Sequence, residues 1–415
     1  MTQLTIFDQG KANKRIRKPI RLIELFAGYG SQSFALKYLG VPFEHHKISE
    51  WALPSIRAYK DAHFGADGKD YSEGKTVEEI KEYFKGRISS NYNEPMTDKQ
   101  INAMKEKTAR EIYSDMQAAH NLGSICLVHG ADLEITDTDK YEYILTYSFP
   151  CQDLSNSGKR AGMAKGSGTR SGMLWEVERI LNELHESGNL PQILIMENVP
   201  AVCGTKNISV FAEWLAALEN LGYSNYWKIL NATDYKIPQN RERCFMVSLL
   251  GDEMFEFPAP MPLELRLRDV LEKEVDEKYY LSDKAIESFI AHTEKMKEKG
   301  NGFKFEPTSG GGYANSILTR AGSRPCDNFI ELLSRQCPDD QVSICESGDG
   351  ELCAARRNES ARDSRIGGGG IDGAIIGQSE RFNHGGLIGI SRTITTNGDA
   401  GAIDWQKQDA YLPEY

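Results

Sequence analysis

Apolar and polar residues alternate along the first 250 positions with two different periods, and the switches between them outline an α/β sheet. Residues 20–25 read as a strand, apolar at Ile20, Leu22, Ile23 and Leu25. A glycine-bearing turn follows, then an amphipathic helix at 31–39 and a second strand at 46–49 that ends at Glu50. Strand signals return at 124–128, 143–147, 193–196 and 244–249, with helical patterns at 173–186 and 210–221 between them. Such alternation builds a doubly wound, mostly parallel sheet. From about residue 59 to 120 the chain is charged and helical, which reads as an inserted lobe. Past Glu256-Phe257-Pro258 the periods fade. One helix at 282–299 leads into a glycine-rich stretch that suits only short β pieces, such as 391–396. The organisation expected is a polar leader (1–19), an α/β domain (20–256) and a smaller, irregular, β-rich domain (257–415).

Composition narrows this little. With 40% hydrophobic and 26% charged residues over 415 positions, the chain is of ordinary globular type and long enough for two domains. No apolar run is long enough to span a bilayer, and Met1-Thr2-Gln3-Leu4-Thr5 lacks the halves of a signal peptide, so a cytoplasmic location is expected. The eight cysteines include no Cys-x-x-Cys pair; reduced thiols and no metal site are expected, even among Cys326, Cys337, Cys345 and Cys353. A net charge of −11 argues against nucleic acid, but local basic clusters qualify it. They comprise Lys11, Lys14, Arg15, Arg17, Lys18 and Arg21; Lys159, Arg160, Lys165 and Arg170; and Arg356, Arg357, Arg362 and Arg365.

Five short stretches carry chemistry. Phe26-Ala27-Gly28-Tyr29-Gly30-Ser31 makes a strand-to-helix turn where backbone can approach a ligand; its spacing fits neither a dinucleotide nor a triphosphate loop. Glu50-Trp51 at the next strand end suits an adenosine, with the acid on the ribose and the indole on the base; it also suits a surface acid beside a core tryptophan. Phe149-Pro150-Cys151 presents a cysteine just past a strand, a place for a nucleophile, although most lone cysteines are inert. Glu197-Asn198 ends another strand on the same rim, as a proton donor in a dry cleft or as a helix cap. Gln239-Asn240-Arg241-Glu242-Arg243 puts two guanidiniums on one face, for a carbonyl, carboxylate or phosphate, or for salt bridges along an edge strand.

Together and in this order, these blocks resemble the C5-cytosine DNA methyltransferase family over about residues 19–250. Thr169-Arg170-Ser171-Gly172-Met173-Leu174-Trp175 resembles the segment that follows its nucleophile. The resemblance implies an S-adenosylmethionine-dependent Rossmann-like sheet and duplex DNA as substrate, with 257–415 as a target-recognition domain reading the major groove. It implies Cys151, Glu197, Arg241 and Arg243 as catalytic. It puts Phe26, Ala27, Gly28, Gly30, Ser31, Glu50, Trp51, Ser124, Ile125, Pro150 and Leu174 at the cofactor. At the substrate it puts Phe149, Pro150, Gln152, Ser155, Asn198 and Gln239. Cys151 would attack C6 of a flipped-out cytosine, Glu197 would serve N3 and Arg243 the O2 carbonyl, while Arg241 would support the cysteine loop or a phosphate. C5 would then accept the methyl group and lose its proton, expelling Cys151. A restriction–modification or phage setting follows.

The chain departs from the family at Ser148 and Lys236, where glycine is usual, and at Tyr143 and Ser124, where acids are common. After Ser391-Arg392-Thr393-Ile394-Thr395-Thr396 it lacks the family's closing segments, which complete the cofactor pocket. This suggests either a truncated product or half of a split enzyme completed by a second polypeptide. A non-catalytic DNA-binding remnant and a tRNA cytosine methyltransferase are the rival readings.

Overall fold

The computed structural model describes residues 14–65, 68–151, 154, 162–166, 169–271, 280–300, 304–316, 328–333 and 373–377. Gln152, Ser155, Lys159, Arg160, the stretch 391–396 and the four cysteines from Cys326 onward lie outside the described residues. The chain divides into two compact units. Among the described residues, one contains those up to Asn231 and Glu242–Ala259; the other contains Ala232–Arg241 and those from Pro260.

In the first unit, β1 (Ile20–Leu25), β2 (Phe43–Ser49), β3 (Glu142–Tyr147), β4 (Ile193–Asn198) and β5 (Tyr223–Asn231) join β7 (Glu242–Leu250) in one sheet, ordered β2-β1-β3-β4-β7-β5. β2, β1, β3 and β4 are parallel; β7 runs against both β4 and β5. Side chains alternate faces along a strand. Ile23, Leu25, Leu145, Tyr147, Leu194 and Met196 therefore share one core with α6 (Leu174–Glu186) and α7 (Ile208–Asn220). Ile20, Leu22 and Ile144 face the other way, with Leu36 of α1 (Ser31–Tyr38). Glu24 shares the parity of Leu22 and is only 1% exposed. The helices on both faces make the sheet doubly wound, the α/β class expected from the periodicity.

The helical stretch has a core of its own. α2 (Leu53–His63), α3 (Val77–Phe84), α4 (Asp98–Asn102) and α5 (Glu106–Ala118) bury Ile56, Ile80, Phe84, Ile101, Ile112 and Met116 together. Capping boxes start two of these helices: Thr76 with Glu79, and Thr97 with Gln100. Each satisfies two N–H groups that a helix start leaves unpaired.

Two expectations change. Residues 124–128 form a single 3-10 turn, Ile125–Leu127, rather than a strand. The chain touches the edge strand β2 at one bridge, Ile48–Asn121, and the Ser124 N–H bonds Arg87 O at 2.9 Å instead of a sheet neighbour. Ile125 and Val128 meet their apolar demand in the core without pairing. Conversely, β5 is a nine-residue strand whose polar interruptions (Ser224, Asn225, Lys228) hide it in the sequence.

The second unit is built from short pieces. β6 (Gln239–Asn240) pairs with β9 (Ala314–Asn315), and β8 (Thr308–Ser309), β10 (Phe329–Leu333) and β11 (Gly373–Gly377) form a sheet ordered β11-β10-β8. α8 (Leu267–Val270) and α9 (Asp283–Glu298) accompany them, and Ile286 and Phe329 make a small core with Phe289 and Phe305.

Candidate active site

The carboxyl ends of parallel strands lie on one edge of a sheet, where open α/β folds bind ligands. Three of the expected clusters sit on that edge in the first unit: Phe26–Ser31 after β1, Glu50-Trp51 after β2, and Phe149–Cys151 after β3. Glu197 and Asn198 close β4, the neighbour of β3, about 5 Å away by strand spacing. Because β7 is antiparallel, Arg243 enters at the same edge.

The nucleophile loop is held by its carbonyls. Asn198 Nδ2 donates to Phe149 O at 3.0 Å, and Ser171 Oγ donates to Pro150 O at 2.8 Å. Ser171 is in place because Thr169 caps the 3-10 turn Arg170–Met173, accepting from the Gly172 N–H at 3.1 Å. Both strand-side carbonyls are thus satisfied, and the chain delivers Cys151, half-buried, beyond Pro150. Asn198 is 2% exposed; its Oδ1 accepts the Val199 N–H at 2.9 Å, so both ends of its amide hold backbone. Phe149 is likewise buried, and Leu174 lies wholly within the main core.

Arg243 Nε donates to Glu197 Oε1 at 2.9 Å, and its Nη1 donates to Glu242 O at 2.7 Å. The two side chains are 19% and 22% exposed, enough to meet a ligand while remaining ordered. Gln239 and Arg241 belong to the second unit. Gln239 is 1% exposed, and neither atom of its amide has a hydrogen-bond partner among the described residues.

The turn after β1 is strained and tightly fixed. Phe26 stands at φ 57, where a non-glycine residue loses about 1–2 kcal/mol; Gly28 follows at φ 58 and Gly30 at φ 83. Ala27 N–H bonds Ser49 O at 3.1 Å, and Gly28 N–H donates to Glu50 Oε2 at 2.9 Å. Glu50 Oε1 accepts the Ala52 N–H at 2.7 Å. Asn121 clasps the Glu50 backbone, accepting its N–H at 3.1 Å and donating to its carbonyl at 2.9 Å. Burial pushes the Glu50 carboxyl up to about 7, against the pull of the backbone N–H groups. A Cβ at Gly28 would meet nothing within 4 Å, so this turn has an open side. Three backbone N–H groups, those of Gly28, Trp51 and Ala52, share the two Glu50 oxygens, which still leaves acceptor capacity for a ligand. An open glycine turn beside such a carboxylate fits the ribose and methionine ends of an S-adenosylmethionine. Ser124 and Ile125, also expected there, are each 6% exposed.

Sequence reasoning missed Asn121, Tyr59 and His63 and gave Ser171 no role; no local motif marks them, and they meet the site only through the inserted helices and loops. The basic clusters divide. Lys14 pairs with Glu142 and Glu253 at 2.6 and 2.7 Å, and Arg21 pairs with Glu44 at 2.9 Å and stacks 3.6 Å over Tyr141. Both lie at the amino edge of the sheet, away from Cys151. Lys165 pairs with Glu178, and Arg170 donates to Asn93 Oδ1.

A family model for C-5 cytosine-specific DNA methylase matches residues 92–351. Type II methyltransferase M2.ScrFI of Lactococcus lactis subsp. cremoris is 37% identical over 272 residues, covering 64% of this chain and 71% of the relative. Orphan methyltransferase M.SssI of Spiroplasma monobiae is also 37% identical over 272 residues, covering 64% of this chain and 68% of its own. The crystal structure of S. pombe Dnmt2 methyltransferase matches with a TM-score of 0.49 at 15% identity, over 77% of this chain and 78% of that one.

Proposed function

Because this chain belongs to the C-5 cytosine-specific DNA methylases, we propose a division of labour along its rim for methylating C5 of cytosine in DNA. The observation that carries this is the nucleophile loop, fixed at two carbonyls by Asn198 and Ser171 on the strand edge that also bears the Glu197–Arg243 pair. Cys151 attacks C6 as a thiolate, forming the C–S bond and pushing electron density toward C5 and N3. Glu197 hydrogen-bonds or protonates N3, so that no full charge stands on the ring. Arg243 orients Glu197 and offers its remaining N–H groups to the O2 carbonyl. Phe26, Gly28, Gly30, Glu50 and Trp51 hold S-adenosylmethionine, which supplies an electrophilic methyl group to C5. Loss of the C5 proton to solvent then restores the C5–C6 double bond and releases Cys151.

Arg241 is assigned to a DNA phosphate, Gln239 to the substrate, and residues 257–415 to reading the bases. The target must leave the duplex stack to reach Cys151, an unstacking worth a few kcal/mol. The type II relative supports a restriction–modification setting and the orphan relative a solitary one, each in the cytoplasm of a bacterial or phage-infected cell. Duplex DNA carrying 5-fluorocytosine at the target tests the reading. A covalent adduct that needs S-adenosylmethionine and is lost in Cys151→Ser is expected, whereas an adduct that persists in that variant would overturn the assignment.

A further inference from the structure

Behind the glycine turn, on the side away from its open face, lies a polar cluster that the chemistry above does not use. His63, the last residue of α2, sets its Nε2 2.7 Å from Tyr29 O and its Nδ1 3.0 Å from Lys37 Nζ of α1. A carbonyl can only accept, so Nε2 carries the proton; Nδ1 is then the acceptor and Lys37 the donor. The ring also lies 4.5 Å from Phe34 and from Tyr59 and 5.2 Å from His45, centroid to centroid. Its approach to the turn is close enough to require glycine. A Cβ at Gly30 would stand 2.3 Å from His63 Nε2 and 2.6 Å from Tyr59 Cε2.

We propose that His63 is a positioning residue for the cofactor turn: held as one tautomer by Lys37, it fixes the Tyr29 carbonyl and so shapes Gly28–Gly30 before the cofactor arrives. The turn is thereby clamped from both sides, by Glu50 at the Gly28 N–H and by His63 at the Tyr29 carbonyl. Such pre-organisation improves binding by removing an ordering cost. The groups facing His63 are consistent with a neutral ring. Burial and the Lys37 charge lower it to about 3, with His45 adding to the effect. His45 is itself held down to about 4 by burial, Lys37 and His120. Glu24, an acid of the same cluster, is engaged by Ser33 Oγ and by Tyr59 OH at 2.6 Å, with Tyr59 in turn against the His63 ring.

The inference rests on the cofactor reading of the turn, and its tests separate the two. In the full chain labelled with 15N-histidine, the His63 nitrogens are expected to report the neutral Nε2–H form from about pH 5 to 8. An Nδ1–H or cationic ring would overturn the proposal without reference to activity. In titrations with S-adenosylmethionine alone, His63→Leu is expected to weaken binding roughly fivefold, the worth of one net hydrogen bond. His63→Gln keeps an N–H donor near the Nε2 position and is expected to recover most of that affinity. The loss should fall on the KM for the cofactor with kcat little changed. Equal losses in His63→Leu and His63→Gln would refute the positioning role. Should His63→Leu fail to fold, Lys37→Met tests the same relay, with a tautomer mixture and weaker binding expected; an unchanged ring and affinity would count against it. Glu50→Gln and Trp51→Ala serve as controls: if they weaken binding and His63→Leu does not, the clamp fails alone. If neither control matters, the cofactor assignment itself falls.

Discussion

Alanine at Gly30 and alanine at Gly28 separate two functions within one turn. Both glycines have positive φ, 83 and 58, so either substitution incurs a backbone penalty of about 1–2 kcal/mol. Their surroundings differ. At Gly28 the new methyl group meets nothing within 4 Å, so the fold loses little beyond that penalty. At Gly30 it would overlap His63 Nε2 at 2.3 Å and Tyr59 Cε2 at 2.6 Å, and neither ring can retreat easily. Tyr59 is fully buried and bonded to Glu24, and His63 is bonded to Tyr29 O. Forcing such a contact adds about 1–3 kcal/mol, giving about 2–5 kcal/mol for Gly30→Ala in all. Cofactor binding should show the opposite ranking, because the Gly28 methyl group would enter the open side of the turn; a loss of roughly tenfold or more is expected there. Thermal unfolding and calorimetric titration with S-adenosylmethionine, run on both variants, read the two effects. Equal destabilisation, or a larger stability loss at Gly28, would refute the steric reasoning.

Three further outcomes follow from the site. Glu50 accepts hydrogen bonds from the ribose most strongly as a carboxylate, since protonation turns one oxygen into a donor, and burial raises it to about 7. Cofactor affinity should therefore fall as pH drops through about 7, by nearly tenfold per unit at the limit. The stability of the unliganded chain should move the other way, since a carboxyl raised on folding contributes most when protonated and that contribution is lost above about 7. Glu50→Gln should flatten the affinity profile, and a profile unchanged by it would exclude Glu50 as the titrating group. Asn198→Ala removes the donor to Phe149 O, so adduct formation with 5-fluorocytosine DNA should slow about tenfold while cofactor affinity holds; unchanged adduct kinetics would show the anchor to be dispensable. Arg243→Met strips Glu197 of its 2.9 Å partner and the O2 carbonyl of a donor, and kcat should fall by about 10²-fold; a change confined to KM would move Arg243 out of the chemical step.

Local signals explain what is legible in the sequence. β1 occupies the expected residues 20–25, and β3 and β4 differ from expectation only at their ends, because short segments rich in apolar residues between turn signals have few alternatives. The same runs expose Glu50, Cys151 and Glu197, since a residue that follows a parallel strand lies on the rim whatever the rest of the chain does. Pairing partners are less visible. β5 is found only through its nine-residue ladder with β7, and the turn at Ile125–Leu127 resembles a strand until the chain is seen to leave β2 after one bridge. Asn121, His63 and Ser171 act on backbone atoms distant in sequence, 71 residues away for Asn121 and Glu50. A contact of that kind leaves no periodicity or spacing to read. The guanidinium of Arg243 is read from the sequence as facing a substrate; its ion pair with Glu197 emerges only from the antiparallel register that sets Glu197 opposite Phe245.

The central claim is that Cys151, on the strand rim it shares with Glu197, carries methyl transfer to C5 of cytosine. Duplex DNA incubated with the full chain and isotopically labelled S-adenosylmethionine, then digested to nucleosides and analysed by mass spectrometry, tests it directly. Labelled 5-methyldeoxycytidine with the intact protein, and none above background with Cys151→Ser, is the predicted result. Labelled product undiminished in Cys151→Ser, or label found only on other bases, would contradict it.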